Sequence, residues 1–162
     1  MFHKYIKDEN LYDTVKQESE ITHVNKDSVE SSYATNLLCR FLIKGDSWET
    51  SLEKVRSDPH ITSQLVKTAL ELKLPFDSQG HAPKVLAAAL HYLNSSTSFH
   101  SALKESIKFA GPANYCPVLV GSIGGARWGF SSIDPSNFKF IESNLFNKLL
   151  QAADEAVRVN EK

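Results

Sequence analysis

The chain has 162 residues, 41% hydrophobic and 23% charged, and a formal net charge of -1. That length sustains one domain with a real core but not two comfortable ones. A charge so near zero argues against a nucleic-acid surface, which needs a clustered excess of Lys and Arg.

Helical spacing dominates the chain from its first third. Glu20-Ile-Thr-His23 closes one helix, and Asn25-Lys-Asp-Ser28 opens the next. Tyr33, Leu37, Leu38, Phe41 and Leu42 recur at three- and four-residue steps, and Gly45 supplies a stop. Asp46-Ser-Trp-Glu49 reads as a capping box for a short helix carrying Leu52 and Val55. Pro59 is expected to open the following helix, with Ile61, Leu65, Val66, Ala69, Leu70 and Leu72 as its apolar stripe. Leu74-Pro-Phe-Asp77 and Gly80 form a loop.

Pro83 starts a helix that is apolar nearly all round from Val85 to Leu93, the pattern of a central helix. Asn94-Ser-Ser-Thr-Ser98 is a polar turn capping a helix with Phe99, Leu103, Ile107 and Phe109. Gly121, Gly125 and Gly129 then fall every fourth residue, so they stack on one helical face and are expected to let another backbone approach closely. Phe130-Ser-Ser-Ile-Asp-Pro135 breaks the run, and a last amphipathic helix holds Phe140, Ile141, Leu145, Phe146, Leu149 and Leu150. No alternating strand of useful length occurs. The expected fold is an all-α, compact orthogonal helical domain spanning residues 1–162, with no internal repeat or linker.

The longest uncharged apolar stretch, Pro117 to Ala126, ends at Arg127 and falls far short of a membrane span. The start of the chain lacks the apolar core of a secretory signal, and Cys39 and Cys116 are its only cysteines. Free thiols in a reducing, cytoplasmic setting are expected, with neither nucleic acid nor membrane as partner.

Chemistry-bearing residues are sparse. The six histidines, at 3, 23, 60, 81, 91 and 100, show no zinc spacing. His81, His91 and His100 read as solvated, and His23 as a residue that fixes its turn by bonding loop backbone. Gly121-Ser-Ile-Gly-Gly125 lacks the strand and the Lys-Ser/Thr ending of a phosphate loop, so it reads as helix packing. Asn114, Tyr115 and Cys116 sit where the chain enters the glycine helix. If Asn114 caps that helix, the first-turn amides and the helix dipole favour a Cys116 thiolate. The alternative is a cysteine serving simply as core.

These residues resemble the ADP-ribosylglycohydrolase family, which includes ADP-ribosyl-protein hydrolases, dinitrogenase reductase-activating glycohydrolase and the J1 crystallins. The family signature Gly-Gly-Asp-x-Asp-Thr is followed by glycines nine, thirteen and seventeen residues after its first aspartate. Here Pro112 stands at that aspartate, Gly121, Gly125 and Gly129 take the glycine positions, and Ala126 completes the family's Gly-Ala pair. Glu20-Ile-Thr-His23 with Asp27 resembles the family's Thr-His segment. Ala87-Ala-Ala-Leu-His-Tyr92, Ser98-Phe99, Ala102-Leu103 and Ile107 resemble the helices leading into the signature, and Ile133-Asp-Pro135 its downstream turn.

The resemblance implies that the chain corresponds to the C-terminal half to two-thirds of a family domain. It implies a magnesium pair held by a Thr-Asp-Asp segment and by the Asp-x-Asp-Thr segment. The first is absent from this sequence. In the second, Pro112 and Asn114 replace the aspartates and Tyr115 the threonine. Magnesium requires hard, preferably anionic oxygens, which proline lacks and asparagine offers once, uncharged. No metal or other cofactor is therefore expected.

Three readings follow. The first is a family member without magnesium-dependent hydrolysis on its own, a pseudoenzyme or one half of a divided protein, with an ADP-ribose-like ligand placed at Gly111, Asn114, Gly121 and Gly125. The second is metal-independent chemistry with Asn114, Tyr115 and Cys116 as catalytic candidates. The third is a structural or interaction role of the J1 crystallin kind, with self-association or a chain supplying further helices.

Overall fold

The computed structural model describes residues 7–110, 114–134, 136 and 141–158. Among them are eight α-helices and no strand: α1 Leu11–Glu20, α2 Lys26–Ile43, α3 Trp48–Arg56, α4 Gln64–Leu70, α5 Ala82–Ser95, α6 Phe99–Ala110, α7 Tyr115–Trp128 and α8 Ser143–Arg158. The all-α expectation holds.

Local signals set several boundaries as read. The Asn25 side chain accepts the Asp27 amide at 2.8 Å and so caps α2. Gly45 ends that helix at φ +94°, a left-handed conformation that only glycine adopts cheaply. Pro83 lies in the first turn of α5, where no amide is missed. Ser98 accepts the Ser101 amide at 3.2 Å and caps α6.

Helix α5 is the hub. It packs against α2, α4, α6 and α7, and Leu86, Ala88, Ala89, Leu90 and Leu93 are fully enclosed. Its alanines keep the neighbouring helices close, while Leu38 of α2, Leu70 of α4 and Ile123 of α7 fill the space between. Near the start of α2, Glu30 is buried and accepts the Thr62 amide at 2.8 Å, the Thr62 hydroxyl at 2.8 Å and the Ser63 amide at 2.6 Å. The Asp27 carboxylate accepts the Ser63 hydroxyl at 2.6 Å. Two carboxylates of α2 thus tie down the start of α4.

Several expectations are corrected. Ser47, not Asp46, caps α3 by accepting the Thr50 amide at 3.1 Å, while Asp46 pairs with Lys54 at 2.6 Å. Helix α4 begins after Ser63 rather than at Pro59, because Asp58 closes a separate turn there through the His60 amide at 2.9 Å. Ile61 is buried ahead of that helix, and Leu65 and Leu72 are exposed. Ile107 also faces outward; the inner face of α6 is Phe99, Ala102, Ser106 and Ala110.

The largest correction concerns the glycines of α7. A Cβ at Gly121, Gly125 or Gly129 would meet no other atom within 4 Å. The close approach occurs at Gly124, where a Cβ would lie 3.2 Å from Phe99, 3.3 Å from Trp128 and 3.4 Å from Leu93. The regularly spaced glycines face open space, and the intervening one carries the packing. On α8, Leu145, Leu149 and Leu150 are exposed; Phe140, assigned to that helix from its spacing, lies outside the described residues.

Candidate functional site

Helices α2 and α7 pack on one another; α2 ends at Ile43, shortly before Trp48 in the chain, and the last turn of α7 reaches Trp48 through Arg127. There the Arg127 guanidinium lies 4.5 Å over the Trp48 ring and 4.5 Å over Trp128, and donates to the Leu93 carbonyl at 2.5 Å. The first turns of α2 and α7 therefore lie away from Trp48. These turns carry the two segments singled out in the sequence, Thr22-His23 ahead of α2 and Asn114-Tyr115-Cys116 at the start of α7.

Asn114 takes the N-cap position of α7 and is exposed, but its side chain makes no capping hydrogen bond. Tyr115 is 55% exposed, and its ring packs on the loop that precedes α5: a Cβ at Gly80 would lie 3.2 Å from Tyr115 Cε2. Cys116 is buried, and burial pushes its thiol up to about 11. Desolvation outweighs the helix-terminus effect that favours a thiolate, so the core reading of Cys116 describes its environment. Gly111 and Pro112 lie outside the described residues. Gly121 and Gly125 face open space farther along α7.

Beneath Tyr115 is a cavity of about 10 Å³, bounded among others by Asp77, Gln79, Val85, Phe109 and Cys116. This is the scale of one water molecule. Asp77 accepts Lys84 Nζ at 2.6 Å and the Gln79 amide at 3.0 Å, and these bonds hold its carboxyl below the usual range. Phe109 joins Phe76 and Tyr92 in an aromatic wall with ring centroids 5.5 Å apart. Burial first, and then Cys116, pushes the Tyr92 phenol up. Asp77, Gly80 and Lys84 join this region through the fold, and the sequence does not mark them as site residues. Only the Asp-x-x-Gly loop signal marked the first two, and nothing local marked the third.

His23 is exposed, and its Nδ1 lies 2.8 Å from the Thr22 hydroxyl. Its bond is to that hydroxyl rather than to the loop backbone expected of it. His81, His91 and His100 are exposed, as read.

Among the described residues, no three His, Cys, Asp or Glu side chains converge. Asn114 offers one neutral oxygen, and the Asp77 carboxylate is already committed to Lys84. What the arrangement offers is recognition chemistry: an exposed amide at Asn114 and an exposed phenol at Tyr115.

A family model described as ADP-ribosylglycohydrolase matches residues 1–162, the whole chain. The chain belongs to the ADP-ribosylglycohydrolase family. No curated protein matches it.

Proposed function

We propose that this member of the ADP-ribosylglycohydrolase family does not carry out magnesium-dependent hydrolysis on its own, and that it retains a surface for an ADP-ribose-like ligand at the entry to α7. The observation that carries this reading is the chemistry of that entry, where Asn114 is neutral and exposed and the Cys116 thiol is buried and protonated at neutral pH. Neither group supplies the anionic oxygens that a hydrolytic magnesium site needs. The test is release of ADP-ribose from arginine- and serine-modified proteins in the presence of magnesium. The reading expects no release above the protein-free control, together with a rise in melting temperature on adding ADP-ribose. Sustained turnover by the purified chain overturns it.

An interaction role is the second reading, favoured by the exposure of Val118 on α7 and of Leu145 and Leu149 on α8. A second copy of the chain is the occupant it names. Light scattering at high concentration should then give a dimer mass, and a monomer mass rejects it. Metal-independent catalysis by Asn114, Tyr115 and Cys116 has weaker support, because the nucleophile it needs is protonated and enclosed. Cytoplasmic residence belongs to the same account and is supported by two unpaired cysteines. No helix among the described residues is long and apolar enough to cross a membrane.

A further inference from the structure

Resting on the self-association reading above, we infer that α8 of one copy lies in a groove along α3 of a second copy, and that the exchange is mutual. The groove is an open space of about 690 Å³ lined by Trp48, Glu49, Leu52, Glu53, Arg56 and Leu72 among others. Trp48 is fixed in it, because its Nε1 donates to Asn94 Oδ1 at 3.0 Å and the Arg127 guanidinium stacks on its ring at 4.5 Å. Leu72 adds an exposed apolar side chain.

Helix α8 carries the matching apolar surface. Leu145 and Leu149 stand one turn apart with Ala152 close to the same line, and every residue from Asn147 to Glu155 is exposed. An amphipathic helix of 16 residues is marginal in water unless its apolar side packs on something. Charge then selects the occupant and its direction. Lys148 and Glu155 border one edge of the leucine stripe, about 10 Å apart along the axis. Glu49 and Arg56 on α3 repeat that spacing with the signs reversed. A parallel α8 therefore sets Lys148 against Glu49 and Glu155 against Arg56, whereas an antiparallel one brings like charges together. Of the other charges along the groove, Lys54 is paired with Asp46 at 2.6 Å, and Glu53 makes a loose contact with Arg56 at 3.8 Å. Both surfaces belong to this chain, so two copies can exchange helices reciprocally and close as a pair.

The test is sedimentation velocity on the full chain over a dilution series. Wild type should dimerise reversibly. Leu149→Glu should weaken the dimer by at least about a hundredfold, since each pair loses two buried leucines. Lys148→Glu and Glu49→Lys should each weaken it about tenfold, because each sets like charges together at both contacts. All three side chains are exposed, so the changes leave the fold of one copy alone. An equimolar mixture of Lys148→Glu and Glu49→Lys should regain wild-type affinity, because both contacts of the mixed pair again join opposite charges. A monomeric wild type overturns the self-association reading and this contact together. A dimer that Leu149→Glu leaves intact, or single variants that mixing does not restore, overturns the contact alone and leaves self-association standing.

Discussion

Substituting the glycines of α7 by alanine one at a time separates an open helix face from a packed one. At Gly121 and Gly125 a Cβ meets nothing within 4 Å, so only the backbone term acts. Alanine loses less conformational freedom on folding than glycine and is the better helix former, which should stabilise the chain by about 0.4–1 kcal/mol at each site. At Gly124 the same gain is opposed by contacts at 3.2 Å with Phe99, 3.3 Å with Trp128 and 3.4 Å with Leu93. Leu93 and Phe99 are buried and have little room to yield, so overpacking should cost about 1–3 kcal/mol and outweigh the helical gain. Gly124→Ala is therefore expected to be net destabilising by about 1 kcal/mol, while Gly121→Ala and Gly125→Ala are stabilising. Urea denaturation with unchanged m-values measures the differences, and thermal melts should move by roughly 2–4 °C per kcal/mol for a domain of this size. Loss of stability at Gly121 and Gly125, or a gain at Gly124, would refute the assignment of faces. A loss at the first two that depends on protein concentration would place a second copy on that face.

Replacing Glu30 with alanine strands the Thr62 and Ser63 amides and the Thr62 hydroxyl, now 2.6–2.8 Å from its carboxylate. Hydrogen bonds to a charged group are the stronger kind, so chemical denaturation should show a loss of about 3 kcal/mol; a loss below about 1 kcal/mol would remove Glu30 as the anchor of α4. Alkaline pH should also weaken the fold. Burial raises the Cys39 and Cys116 thiols from 9.0 to about 11, so the folded state favours their neutral forms. Their contribution is complete below the ordinary thiol value and is lost as pH rises through about 11. Tyr33, raised chiefly by burial, contributes with the same sign at higher pH. Melting temperatures from pH 8 upward should fall, and Cys116→Ala should flatten the fall; an unchanged slope in that variant argues against a buried, neutral thiol.

How far the sequence reached depends on whether a feature is local. The Asn25 cap, the Gly45 stop and the Pro83 start are each decided within one turn of chain, and each was legible. The start of α3 is ambiguous by one residue in the sequence because Asp46 and Ser47 are both competent caps. Lys54 engages Asp46 at 2.6 Å and leaves the capping to Ser47. The start of α4 is not a local matter: the Asp58 turn occupies the stretch after Pro59, and Glu30 and Asp27, far back in the chain, fix Ser63 in place. The glycine periodicity correctly marked α7 and its family. Which glycine is tight, however, depends on Phe99 and Leu93 arriving from α6 and α5. The candidate site divides in the same way: Asn114, Tyr115 and Cys116 are contiguous and readable, whereas Asp77, Gly80 and Lys84 join them only through the fold.

On the reading proposed above, the family frame persists in this chain without a magnesium site at the entry to α7. Isothermal calorimetry of the purified chain with magnesium chloride, with and without ADP-ribose, tests it most directly. Only heat of dilution is expected up to millimolar magnesium, with an ADP-ribose response that does not depend on the metal. A saturable magnesium isotherm, strengthened by ADP-ribose, would contradict it.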